Sequence, residues 1–132
     1  MYQNEIAFKK DLMFRLKKMN AHVTPIQTRT VLGVPDLFVS LKGAQGWIEC
    51  KHVRQDYREG RVYAVPFRAG QQKWAYEHFV SSGKSVLYLI AFNNGVYRYY
   101  PTKVKVEGRI KSSELQLTDL KELTAETFSV IL

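Results

Sequence analysis

Two neighbouring stretches decide the fold: Gly33-Val34-Pro35-Asp36-Leu37-Phe38-Val39 and Trp47-Ile48-Glu49-Cys50-Lys51. The apolar runs at residues 37–41 and 47–52 have the length and composition of β-strands. The five residues between them, 42–46, include two glycines, which is typical of a hairpin connection. We therefore predict two antiparallel strands, with Asp36 at the start of the first and Glu49 and Lys51 on the second.

The alternation of side chains along the second strand separates two environments. Glu49 and Lys51 share one face, whereas Ile48 and Cys50 point to the other face, towards the predicted core. If the carboxylates of Asp36 and Glu49 share one patch, each raises the pKa of the other unless a cation lies between them. A divalent ion that prefers oxygen ligands, such as Mg2+, would resolve this conflict. A lysine beside the ion suits metal-assisted phosphodiester hydrolysis, because it can stabilise negative charge or orient a water.

Pro35-Asp36 followed by Glu49-Cys50-Lys51 resembles the signature of the PD-(D/E)XK nuclease superfamily. Within it, Gly33 to Leu37 and the later Gln71-Gln72-Lys73-Trp74 are most similar to the VRR-NUC branch, whose relatives include Holliday junction resolvases. The resemblance covers roughly residues 4–92. It implies an α/β fold of the restriction-endonuclease-like type, in which a mixed central β-sheet is flanked by α-helices around an αβββαβ core.

The resemblance also implies an activity, that of a Mg2+-dependent endodeoxyribonuclease in which Mn2+ substitutes for Mg2+. The expected substrate is branched DNA such as a Holliday junction, cut by a homodimer to leave a 5′-phosphate. The expected catalytic residues are Asp36, Glu49, Lys51 and Gln71. The expected metal ligands are the carboxylates of Glu5, Asp36 and Glu49 and the backbone carbonyl of Cys50.

A first helix is predicted from residue 3 or 4 to about Met19, ended by Asn20. Its 3.6-residue period places Glu5 on the same stripe as Phe8, Leu12 and Leu16. A carboxylate on an apolar stripe is costly unless it is paired or metal-bound, which agrees with a role at the metal site. An acid in the first turn is also favoured by the helix dipole alone, so both explanations stay open.

A second helix is predicted from Gln71 to about residue 81, ended by Gly83. Periodicity does not choose between Gln71 and Gln72, and the pattern of the resembled family selects Gln71. An amide at that position can hold a water or a phosphate oxygen without adding charge.

The remaining chain completes one domain, residues 1–132, with a core of about 4–100. A strand is predicted near Pro25, a strand buried on both faces at 85–92, and an antiparallel edge strand at 96–100. We assign the extension at 101–132, with a short helix around 118–123, to packing or dimer contact.

The formal net charge is +8, and residues 1–101 carry all of this excess. A basic body around an acidic pocket suits a polyanionic substrate. Arginines interleaved with Tyr57, Tyr63 and Phe67 have a composition suited to gripping phosphates and stacking on bases. A solvated, partly self-paired surface would explain the same charges. The predicted DNA-binding residues are Arg29, Arg54, Arg58, Arg61 and Arg68.

The sequence shows neither a signal-peptide h-region nor an apolar run of membrane-spanning length, so we expect a cytoplasmic protein that does not enter a membrane. The lone Cys50 excludes an internal disulfide. Our first hypothesis is a structure-specific DNA endonuclease. The alternatives are a site-specific endonuclease of the restriction or homing type on the same core, and a non-catalytic DNA-binding module.

Overall fold

Two α-helices and eight β-strands form the regular structure of the computed structural model, which describes residues 1–27, 30–102, 104, 108–124 and 127. The helices are α1 (Glu5–Lys18) and α2 (Gln71–Ser82). The strands are β1 (His22–Pro25), β2 (Leu37–Leu41), β3 (Ala44–His52), β4 (Val62–Ala64), β5 (Leu87–Phe92), β6 (Gly95–Tyr99), β7 (Arg109–Lys111) and β8 (Gln116–Thr118).

Six of these strands form the central sheet, in the order β1-β2-β3-β5-β6-β8. Strands β3 and β5 run parallel, because the α2 crossover separates them, and the other neighbours are antiparallel. The sheet is therefore mixed, and α1, the first three strands, α2 and β5 follow the αβββαβ order that the resemblance implied. Strands β4 and β7 pair separately as a small ribbon.

Helix α1 begins and ends where its sequence signals predict. The side chain of Asn4 accepts a hydrogen bond from the Ala7 N–H at 2.8 Å and so caps the first turn. Asn20 ends the helix with a φ of 64°, a left-handed conformation that asparagine tolerates better than most residues. The apolar stripe of Phe8, Leu12 and Leu16 is fully buried against the sheet.

The β2–β3 hairpin is tighter than the sequence indicated. We predicted a five-residue connector at 42–46, but the turn consists of Lys42 and Gly43 alone, with φ values of 49° and 83°. Two consecutive positive φ angles match the right-handed twist of the paired strands, which favours a two-residue turn. Residues 44–46 consequently belong to β3 and pair with the end of β2.

The two faces of the sheet bury separate cores. On the first face, α1 packs over β1 and β3, and the same core includes Leu87 and Leu89 of β5. On the second face, Tyr88 and Ile90 of β5 pack with Ala75 of α2 and with the β4–β7 ribbon. All six residues of β5 are buried, as the continuous apolar run predicted.

The C-terminal segment changes the edge of the sheet. We predicted that residues 96–100 form an edge strand, but β8 pairs with β6 and takes the edge position. The short helix predicted at 118–123 is a single 3-10 turn at Leu120–Glu122, and Leu120 and Leu123 join the first core. The described part of this segment therefore packs on the body of the protein. The apolar terminus at 128–132 lies outside the described residues.

No helix in the described part of the chain combines the length and apolar character that a membrane crossing requires.

Candidate active site

Asp36 is held at the start of β2 by the backbone of β3. The last backbone pair of β2 and β3 on this side is Leu37 with Ile48, so Cys50 lies beyond the end of the paired region. The Cys50 N–H donates instead to Oδ2 of Asp36 at 2.9 Å. The carboxylate thus replaces a missing strand partner, which fixes its position beside Glu49.

Glu49 is the most isolated polar group of the site. Its side chain is 1% exposed, and neither carboxylate oxygen has a hydrogen-bond partner among the described residues. Burial, followed by the proximity of Asp36, raises the pKa of Glu49 to about 9. In the absence of an additional cation, the carboxyl therefore holds a proton at neutral pH.

Lys51 lies on the same face of β3 as Glu49 and is also buried, at 1% exposure. Its Nζ donates to the carbonyl oxygen of Pro66 and to Oε1 of Gln71, both at 2.7 Å. Burial lowers the pKa of Lys51, and the nearby Glu49 opposes this shift. The two hydrogen bonds fix the ammonium beside the carboxylates.

Gln71 is the first residue of α2 and is 2% exposed. Its Oε1 accepts from the Lys51 ammonium and also from the Arg68 backbone N–H, at 2.8 Å. Gln72 is only half-buried. The geometry therefore distinguishes the two glutamines, which periodicity could not, and places Gln71 with Lys51.

Arg68 links the two carboxylates. Its Nη2 lies 3.5 Å from Oδ1 of Asp36 and 3.6 Å from Oε2 of Glu49. Lys9 of α1 adds a second cation, with Nζ 3.8 Å from Oδ1 of Asp36. Sequence reasoning missed Lys9, because the helical period places it off the apolar stripe; its spacing of four residues from Glu5 was the available signal.

The other carboxyl groups of the site have shifted pKa values for similar reasons. Burial would raise the pKa of Asp36. The protonated Glu49 carboxyl and the Cys50 N–H favour the ionised form of Asp36 and outweigh burial, so its pKa is lowered. Burial raises the pKa of Glu5, and Lys51 opposes that shift. Asp36 is thus the group that stays ionised, and Glu49 is the group that holds the proton.

The predicted metal-ligand set is only partly assembled. Among the described residues, no group of three or more His, Cys, Asp or Glu side chains is placed to hold a metal ion. Glu5 therefore does not complete a cluster with Asp36 and Glu49, although it lies within electrostatic range of Asp36 and Lys51. Two adjacent carboxylates remain, one with both oxygens unpartnered. This donor chemistry fits a hard divalent cation.

A cavity of about 760 Å³ opens beside these groups. Its lining includes Lys9, Asp36, Arg68 and Gln71. Gly33, which lines this cavity, lies close against Gly70, because a Cβ on Gly33 would lie 2.1 Å from the carbonyl oxygen of Gly70. This close approach docks the segment that precedes Asp36 onto the beginning of α2.

The predicted DNA-binding arginines occupy different places. Arg68 is at the site, whereas the side chains of Arg54, Arg58 and Arg61 are exposed on the segment after β3. Arg54 also lies 3.5 Å from the carbonyl oxygen of Gln3. Arg29 lies outside the described residues.

The interleaved aromatic residues, whose composition suited stacking on bases, pack within the protein instead. Tyr63 is 1% exposed and belongs to the second core. The ring of Tyr57 stacks on Tyr97 with 3.9 Å between centroids, and Phe67 packs against Tyr88. The apolar surface of these rings makes burial more favourable than exposure, so their role in this structure is packing.

Comparison with solved structures finds that this structure is similar to Archaeoglobus fulgidus Hjc, a Holliday junction resolvase from an archaeal hyperthermophile. The TM-score is 0.58 at 13% sequence identity, over 80% of this chain and 87% of that chain. A bacterial homing endonuclease aligns with a TM-score of 0.48 at 14% identity, over 92% of this chain and 78% of that chain. Comparison by sequence finds no matching family model and no matching curated protein. The likeness to Hjc shows a restriction-endonuclease-like fold and confirms the predicted fold class.

Proposed function

We propose that this protein is a metal-dependent DNA endonuclease of the PD-(D/E)XK type, close to the VRR-NUC branch. The observation that carries the proposal is the convergence of Asp36, Glu49, Lys51 and Gln71 on one side of the sheet, beside an open cavity. These side chains come from three different elements. A fold that needs only a stable core has no reason to bury two carboxylates and a lysine together, because their desolvation costs several kcal/mol.

Asp36 and Glu49 would hold a Mg2+ or Mn2+ ion, with the Cys50 carbonyl as a further ligand and with Glu5 reaching the ion through water. When bound, such an ion polarises a phosphoryl oxygen and lowers the pKa of a water. It would also favour the ionised form of Glu49, whose pKa is otherwise raised by burial.

Lys51 and Gln71 would act on the scissile phosphate or the attacking water. Two of the three N–H donors of the Lys51 ammonium bond to Pro66 and Gln71. The third can donate to a phosphate oxygen or a water, and its direction is fixed by the other two. The amide nitrogen of Gln71 can donate beside it, while its oxygen keeps the ammonium in place.

Branched DNA is the substrate that we propose for this site, cut by a homodimer. The support is the fold shared with Hjc, which is a Holliday junction resolvase. A four-way junction has two equivalent strands to cut, and a two-fold dimer presents two equivalent sites. The exposed arginines after β3 and the net charge of +8 suit the phosphate-rich arms of such a substrate.

The test is a cleavage assay on a four-way junction, a nicked duplex and a linear duplex of the same sequence, each with Mg2+ and with EDTA. We expect cutting only with Mg2+, and faster cutting of the junction. Lys51→Ala should abolish it. Lys73→Ala, which removes an exposed lysine of α2, is the matched control and should cut like the wild type.

Other outcomes would replace this proposal. Binding of DNA without cutting of any substrate would identify a non-catalytic DNA-binding module. Cutting of linear duplex at a fixed sequence, with no preference for the junction, would identify a site-specific endonuclease.

A further inference from the structure

We propose that Arg68 is an internal counter-ion of Asp36, placed beside Glu49, that a divalent cation displaces, and that the released guanidinium then binds a DNA phosphate. The inference rests on the proposed function for the identity of the metal and the substrate. It goes beyond that function by assigning to Arg68 the coupling between metal binding and DNA binding.

The contacts of Arg68 place it where a bound cation would lie. Its Nη2 is 3.5 Å from Asp36 and 3.6 Å from Glu49, so one cationic nitrogen serves two carboxylates. The other oxygen of Asp36 accepts from the Cys50 N–H. Oδ1 of Asp36, which faces Arg68, is therefore the oxygen of that carboxylate that remains for a metal ion, and both oxygens of Glu49 lack a hydrogen-bond partner among the described residues.

Glu49 has fewer partners than Asp36. Neither oxygen of Glu49 has a hydrogen-bond partner among the described residues, whereas Asp36 has the Cys50 N–H and the nearby Lys9. An ionised carboxylate at this depth requires a nearby positive charge. Arg68, at 3.6 Å, favours the ionised form of Glu49 but does not outweigh burial, so a doubly charged ion in its place would bind the ionised carboxylate more strongly.

The backbone of Arg68 is anchored by a buried hydrogen bond, whereas its side chain is exposed. The Arg68 N–H donates to the buried Oε1 of Gln71 at 2.8 Å, which anchors the residue to the start of α2. The side chain is 63% exposed. Solvent reaches the guanidinium, which weakens its attraction to the carboxyl groups, so a doubly charged ion can displace it.

The displaced guanidinium would remain at the rim of the cavity, because its backbone does not move. Arginine binds phosphate through two parallel N–H donors, a geometry that the present contacts with two separate carboxylates do not offer. Metal binding would therefore free a phosphate ligand, and by reciprocity bound DNA would favour the metal.

The first experiment measures Mn2+ affinity by titration calorimetry at pH 8 and low salt, without DNA. Arg68→Gln should bind Mn2+ about threefold more tightly or better, because a competing charge is gone. Arg68→Lys keeps the charge and should stay within about twofold of the wild type. Arg54→Gln removes the same charge from an exposed site away from the carboxylates and should also match the wild type.

The second experiment measures junction DNA binding with and without Mn2+, in a Lys51→Ala background that prevents cutting. Mn2+ should strengthen DNA binding more in the Lys51→Ala protein, which keeps Arg68, than in the double variant that also carries Arg68→Gln. A guanidinium released by the metal explains that difference, whereas a fixed structural role for Arg68 does not.

The inference is overturned if Arg68→Gln binds Mn2+ as weakly as the wild type or more weakly, if Arg54→Gln tightens it equally, or if no variant binds Mn2+. Its failure is separable from that of the proposed function. Tighter Mn2+ binding by Arg68→Gln in a protein that cuts no DNA would support the counter-ion and refute the nuclease.

Discussion

Strand β3 has opposite surroundings on its two sides. Ile48 and Cys50 are fully buried in an apolar core beneath α1. Glu49 and Lys51 are buried to nearly the same extent, but among charged and polar groups beside α2. All four residues belong to one nine-residue strand, whose side chains alternate between the two faces.

The difference shows how the strand divides stability from chemistry. Burial of a side chain such as Ile48 contributes about 1.5–3 kcal/mol, whereas burial of an ion costs several kcal/mol unless it is paired. The apolar face therefore stabilises the backbone that holds the desolvated groups of the polar face. If this division is correct, substitutions on the two faces should have separable effects.

The largest expected effect is on the polar face. Asp36→Asn keeps an oxygen for the Cys50 N–H but removes the charge that a metal ion and Arg68 require, so we expect cleavage to slow about a thousandfold. Thermal unfolding should change little. Asp56→Asn, on the exposed segment after β3, is the control. A rate within tenfold of the wild type would remove Asp36 from the proposed metal site.

The converse substitution is on the apolar face. Ile48→Ala opens a cavity beneath α1 and should lower the free energy of unfolding by about 2–4 kcal/mol in urea titrations. Cleavage per folded molecule should remain close to the wild-type value. Val62→Ala, at a valine that is 51% exposed, should cost less than about 0.5 kcal/mol. Equal losses at the two positions would contradict the division between the faces.

A smaller effect should come from the glycine contact that positions Asp36. Gly33 and Gly43 both have a φ of 83°, but a Cβ meets Gly70 only at Gly33, since nothing lies within 4 Å at Gly43. Gly43→Ala should cost about 1 kcal/mol from backbone strain alone. Gly33→Ala should cost more in urea titrations and should also slow cleavage, because the segment before Asp36 must shift. Equal behaviour of both variants would mean that the contact does not position the site.

The smallest effect concerns the pH dependence of stability in EDTA. The pKa of Glu49 is about 9 in the folded protein and is near its usual value of 4.5 in the unfolded chain. Between these values the folded state holds the extra proton, so stability falls as pH rises. We expect a loss of about 1 kcal/mol between pH 7 and pH 8, because a difference of one bound proton gives a slope of about 1.4 kcal/mol per pH unit. Glu49→Gln should lack this loss. If the free energies of unfolding of the two proteins changed with pH in parallel, the raised pKa would not belong to Glu49.

Local pattern in the sequence predicted much of the architecture. The cap at Asn4, the spacing of Phe8, Leu12 and Leu16, and the left-handed Gly83 after α2 each depend on neighbouring residues alone. The alternation along β3 placed Glu49 and Lys51 on one face for the same reason. The αβββαβ order followed from these elements and from the resemblance.

The features that the sequence did not predict depend on distant contacts. The pairing of β8 with β6 joins residues that are far apart in the chain, and three-residue strands have almost no periodicity. Tyr63 belongs to a charged segment by composition, but its ring is buried by residues from β5 and β7. Arg68 contacts both Asp36 and Glu49, and no spacing along the sequence indicates that meeting.

The two border strands of the central sheet bear on how copies of this protein could associate. Strands β1 and β8 have four and three residues, and β1 ends at Pro25, which has no N–H to donate. Continuous sheet formation between two molecules would thus gain few intermolecular backbone bonds along the described strands. A homodimer would have to be built from side chains on helices and loops, and its symmetry axis, rather than strand register, would set the distance between the two reactive centres.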